Sequence, residues 1–189
     1  MKTSGFKVLW QQTRNHTLRR SAAWRRDDSG ATAIEFAMVS FPFLALLFGI
    51  MAVGLFFFTT FSTENAVEQA ARPIRTGEAQ AAGMTKDQFK ANVCAKMPIY
   101  VDCTAKLRVN VQSFNVGQAI VAPDCVDAGG ALVAPAGTPY AVGAANQIML
   151  VSACLEWTLA GKIPFLQIGK MSNGAALIQA STAFKIEPY

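Results

Sequence analysis

Glu35 is a carboxylate at the mouth of a stretch, Phe36 to Thr63, that contains no ionisable side chain. An acid placed in hydrocarbon costs about 2.5 to 3.5 kcal/mol on insertion scales, so this one calls for a compensating role. A local role is available: Thr32 and Glu35 form the T-x-x-E pattern of a capping box, and an acid in a first helical turn is favoured by the helix dipole. The other groups whose type and spacing could do chemistry are Cys94, Cys103, Cys125 and Cys154. They show no C-x-x-C spacing, which argues against a tetra-cysteine zinc site and against a redox pair. An even count in a small domain facing an oxidising compartment reads instead as two disulfides. Three pairings are possible. The favoured one joins Cys94 to Cys103 across a helix-to-strand turn and Cys125 to Cys154 between a long loop and a central strand.

The only histidine is His16. It lies in a basic N-terminal segment, and without that segment the chain has no histidine, which disfavours Ser-His and Cys-His nucleophiles and histidine-ligated metals. No GxSxG pattern is present either. The expectation is a protein that is not an enzyme and needs no cofactor or metal, although carboxylate and lysine chemistry are not excluded. Residues 1–30 hold seven basic and two acidic side chains, which accounts for the whole net charge of +5, and the rest of the chain holds ten of each. Basicity confined to one end argues for membrane topology and against a nucleic-acid partner.

These groups are positioned by a small number of elements. Phe36 to Phe58 is long enough, at about 1.5 Å per residue, to cross a bilayer core of roughly 30 Å as a helix. Basic residues before it and mixed charges after it place the N-terminus in the cytoplasm and everything past Thr63 outside. A cleaved secretory signal fits poorly, since its apolar region is shorter and ends in a small-residue site. Pro42 deprives the Met38 carbonyl of its helical donor and predicts a kink or local unwinding. Ala45 and Gly49 form a small-xxx-small pair suited to close helix packing. The helix is expected to continue to about Arg72, with Pro73 and Gly77 bending or ending it.

A second helix is signalled by the Thr85–Gln88 capping box and by Phe89, Val93 and Met97, with Pro98 as its stop. Leu107, Val109 and Val111 then alternate with polar residues, and strands follow over Gln147–Leu159 and Leu177–Ile186, each expected to be buried on one face and wet on the other. The fold class is α+β: a long transmembrane helix, then a small domain with one further helix and an antiparallel sheet of about three strands. The divisions are a leader at 1–30, the transmembrane helix at 31–62, a helix extension and linker at 63–84, and the α+β domain at 85–189. The Gly117–Asn146 segment, rich in Gly, Ala and Pro, is either a display surface or holds structure of its own.

The residues RRDDSGATAIEFAMVSFPFLALLFGIMAVG and NAVEQAARPIRTGEAQ resemble the TadE-like family, minor pilins or pseudopilins of the Tad (tight adherence) type IV pilus systems. The resemblance includes Ala70, Ala71, Arg72, Arg75, Thr76 and Gly77 and, more loosely, the Glu-Pro of the terminal STAFKIEPY. It implies that a prepilin peptidase cuts between Gly30 and Ala31 and that Glu35 is the fifth residue of the mature chain, paired with the freed amino group of a neighbouring subunit. The implied partners are that peptidase, other Tad pilins and pseudopilins, the inner-membrane assembly platform and membrane lipid. The implied location is the inner membrane, single-pass, with a periplasmic domain that could also reach an extracellular pilus. A backbone without a side chain at Gly30 eases the approach of a peptidase's catalytic carboxylates. The rival reading is an uncleaved, membrane-anchored periplasmic scaffold or binding protein.

Overall fold

The computed structural model describes residues 29–162 and 169–188. The leader before Ser29 lies outside the described residues. Helix α1 runs from Ser29 to Arg75, 47 residues, and the chain divides within it, after Ile50, into two units.

In the first unit α1 carries apolar side chains on every side, and Phe36, Val39, Phe43 and Leu46 are all exposed. Only 6% of the helix's most apolar 18-residue window is buried, whereas the core helix of a soluble protein would be mostly covered. Among the described residues one helix is long and apolar enough, by length and composition, to cross a membrane. It stays helical through Pro42. The Ser40 hydroxyl donates to the carbonyl of Ala37 at 3.3 Å, so no polar hydrogen is left free there.

In the second unit a single stripe of α1 becomes buried. Ala52, Thr59, Thr63, Ala66, Ala70 and Ile74 are covered, and Phe56 is half-buried. Spacings of three and four put these residues on one helix face, and the small side chains let that face approach the sheet closely. Thr59 and Thr63 donate to the carbonyls of Leu55 and Thr59, each at 2.7 Å. The helix runs three residues past Arg72. Pro73 removes one amide donor, but Ile74 is completely buried and Thr76 N donates to Arg72 O at 3.0 Å, so packing carries the helix on. Gly77, at φ 83°, ends it in a left-handed conformation that glycine adopts without cost.

Three short helices follow, where one was expected: α2 (Glu78–Ala81), α3 (Lys86–Cys94) and α4 (Cys103–Lys106). Helix α3 begins on the predicted capping box. Gln88 N donates to Thr85 Oγ1 at 3.3 Å and Thr85 N donates to Gln88 Oε1 at 2.9 Å. Phe89 and Val93 are fully buried. Single-turn α4 is capped by Asp102, whose carboxylate accepts from Ala105 N at 3.3 Å.

Strands β1 (Leu107–Phe114), β2 (Ile148–Trp157) and β3 (Ala176–Lys185) form an antiparallel sheet in that order. The register sets Val109 opposite Ala153 and Ala153 opposite Ala180. The face carrying Leu107, Val109, Val111, Met149, Val151, Leu155 and Ile178 joins Ala66, Val67, Ala70 and Ile74 of α1 in one core.

The second face departs from expectation. It is wet on β3, where Gln179, Ser181 and Lys185 are exposed, but Asn110 of β1 and Leu150, Ser152, Cys154 and Glu156 of β2 are buried. The Gly117–Asn146 segment is tied to this face and has its own structure. Cys125 is bonded to Cys154, and Arg108 Nε donates to Val133 O at 2.9 Å. Val126 bridges to Leu132, Tyr140 bridges to Val111, and Pro135–Gly137 make a 3-10 turn.

Candidate functional site

Gly30, Ala31, Thr32 and Glu35 lie on the first turns of α1 and are all exposed. A Cβ built on Gly30 would meet nothing within 4 Å. This backbone is open to an approaching protein. Helix α1 is already formed at Ser29, so Thr32 stands inside the helix and not at an N-cap. Among the described residues neither Thr32 nor Glu35 makes a side-chain hydrogen bond or ion pair. The local capping-box role for Glu35 is thus not realised, and among the described residues the acid has no side-chain partner. Ala45 and Gly49 are exposed and half-exposed on one face, free for another helix to pack against.

Both expected disulfides form, Cys94–Cys103 with Cα atoms 5.5 Å apart and Cys125–Cys154 at 5.6 Å. Among the described residues no group of three or more His, Cys, Asp or Glu side chains could hold a metal ion.

Three cations that the sequence reading passed over line a cleft of about 260 Å³ beside β1: Lys86, Lys90 and Arg108, with Asp87. Their protons are engaged by backbone. Lys86 Nζ donates to Pro135 O at 2.8 Å and Thr138 O at 2.7 Å, and also contacts the Thr138 hydroxyl. Lys90 Nζ donates to Thr104 O at 2.6 Å, and Arg108 donates to Val133 and Ala105. Burial pushes both lysines below their ordinary value, with Arg108 adding to the effect and Asp87 opposing it. Lys86 and Arg108 act as clasps on the long segment, and Lys90 holds α4. The signal for them is non-local, because each lysine's acceptors are far along the chain.

A second missed contact anchors the Met97–Val101 loop to α1. Tyr100 Oη lies 3.0 Å from Thr59 Oγ1, and the Phe56 ring lies 5.5 Å from that of Trp157.

The exposed glycine at the helix start, the acid five residues on and the long apolar helix all fall within one stretch that is similar to a known family. Residues 30–72 match the TadE-like protein family model. The match begins at Gly30 and takes in nearly all of α1, and it supports the resemblance read from the sequence. Searches of curated proteins and of solved structures found no match. The matched segment therefore lies on the helix, and the disulfide-bonded sheet domain lies beyond the matched residues.

Proposed function

We propose that this chain is a TadE-like minor pilin or pseudopilin that supports assembly or priming of a Tad (Flp-type) pilus for adhesion. The observation that carries the reading is the family match opening at Gly30 and including Glu35, on a helix apolar enough to span a membrane. A prepilin peptidase cuts between Gly30 and Ala31 on the cytoplasmic side, and the reaction belongs to that enzyme. This chain is its substrate and performs no catalysis. Cleavage creates a cation on Ala31. Glu35, without a partner among the described residues, then meets the Ala31 amino group of a neighbouring subunit, which lowers the cost of a carboxylate in lipid and sets the stagger between helices. Ala45 and Gly49 let those helices approach. The sheet domain stands in the periplasm, where its disulfides form.

Replacing Gly30 with phenylalanine tests the reading in cells with an active prepilin peptidase. A Cβ at position 30 meets nothing within 4 Å among the described residues, so a processing defect is read as a failure at the peptidase. Accumulation of the uncut precursor is expected, and maturation at the wild-type rate overturns the assignment.

A further inference from the structure

We infer that the Met97–Val101 loop is a second membrane contact, with Ile99 inserted among the lipid headgroups beside α1. The inference rests on the membrane-anchor reading above and adds a lipid-facing surface on the folded domain.

The loop's level along α1 is fixed by one hydrogen bond. The Thr59 hydroxyl spends its proton on Leu55 O at 2.7 Å, so Tyr100 Oη must donate in the 3.0 Å contact with Thr59 Oγ1. Thr59 lies inside the ionisable-free stretch, and the first charge beyond it is Glu64, five residues and about 7 Å further along the axis. On the adjoining turns Phe57, Phe58 and Phe61 are 53%, 56% and 62% exposed. Phenylalanines left uncovered there extend the exposed apolar surface of α1 up to this level.

At that same level Ile99 is 103% exposed. No packing explains an isoleucine at the tip of this loop. The loop is braced, because Cys94 and Cys103 join its two feet, and Pro98 sits next to the exposed side chain. Tyr100 is half-exposed, with an apolar ring and a polar end suited to an interface. Lys96, exposed three residues earlier, has a stem long enough to keep its ammonium among headgroups while the loop tip sits deeper. The acid on this loop, Asp102, is engaged in capping α4. An apolar tip with a flanking cation, on a loop bonded to α1 through Tyr100 and Thr59, matches a lipid interface in chemistry and level.

The test is photo-cross-linking of the full chain reconstituted in vesicles of phosphatidylethanolamine and phosphatidylglycerol. Benzoylphenylalanine is placed at position 99, at position 48 within the span, and at position 78, which is exposed beyond the far end of α1. Lipid adducts at 48 and 99, with none at 78, are expected. Adduct at 48 but none at 99 overturns the inference and leaves the anchor reading standing. No adduct at 48 overturns the anchor reading and this inference with it. Protein adducts at 99 in place of lipid also overturn it, in favour of a protein partner for the loop.

Discussion

Removing the two disulfides one at a time should produce unequal losses of stability, and their order follows from loop length. Cys94–Cys103 spans a sequence separation of 9 and Cys125–Cys154 one of 29. With the chain-entropy relation for closed loops, these separations correspond to about 2.6 and about 3.6 kcal/mol at room temperature. Alanine replacements are the appropriate perturbation, since Cys103, Cys125 and Cys154 are buried and a serine hydroxyl there would add the cost of an unpaired polar group. The Cys125→Ala/Cys154→Ala variant also frees the long segment from the second face of the sheet, where Asn110, Ser152 and Glu156 are covered, so its loss should be at least the chain-entropy figure. Urea titration of the full-length protein in detergent, under non-reducing conditions and followed by circular dichroism, measures both. The expected order is a larger drop for the Cys125–Cys154 pair by about 1 kcal/mol or more. A larger drop for the Cys94–Cys103 pair would refute both the loop argument and the role assigned to the long segment.

Three further outcomes follow from particular contacts. Ile74→Ala empties a completely buried site against the sheet and should cost about 2 to 5 kcal/mol in the same titration; a loss below 1 kcal/mol, outside that range, would mean that the end of α1 is not packed as described. Thr85→Ala removes the hydroxyl that accepts from Gln88 N while keeping the backbone donor to Gln88 Oε1, and should cost about 0.5 to 2 kcal/mol, measured as a shift in urea midpoint. Burial alone would raise the Glu156 carboxyl, but hydrogen bonds from Lys106 Nζ at 2.8 Å and Asn173 Nδ2 at 2.7 Å outweigh burial and hold it below its ordinary value. That stabilisation is present above the ordinary Glu value of about 4.3 and is lost as pH falls through the depressed folded value. Glu156→Gln should therefore flatten the acid limb of the stability profile, and an unchanged acid limb would contradict the assignment.

What the sequence made legible was local. The T-x-x-Q of Thr85 and Gln88, the alternation of Leu107, Val109 and Val111, and the unbroken apolar run after Glu35 each declare themselves within a few residues. The cysteine pairs could be favoured because the elements between them were correctly placed. What stayed hidden was set by distant partners. Leu150, Ser152, Cys154 and Glu156 alternate with core residues as a wet face would, yet they are buried, because the long segment is drawn onto them through Cys125 and the Arg108–Val133 bond. Pro73 reads as a bend or an end of the helix, and only the burial of Ile74 shows why the helix continues to Arg75. The T-x-x-E of Thr32 and Glu35 reads as a cap, and the helix already formed at Ser29 takes that role away. The same observation leaves Glu35 without a side-chain partner among the described residues.

The mature N-terminus decides the central claim. Intact-mass measurement and N-terminal sequencing of the protein from its native membrane, in cells with an active prepilin peptidase, should give a chain beginning at Ala31. A protein that retains residues 1–30 under those conditions would contradict the account and leave an uncleaved membrane-anchored scaffold in its place.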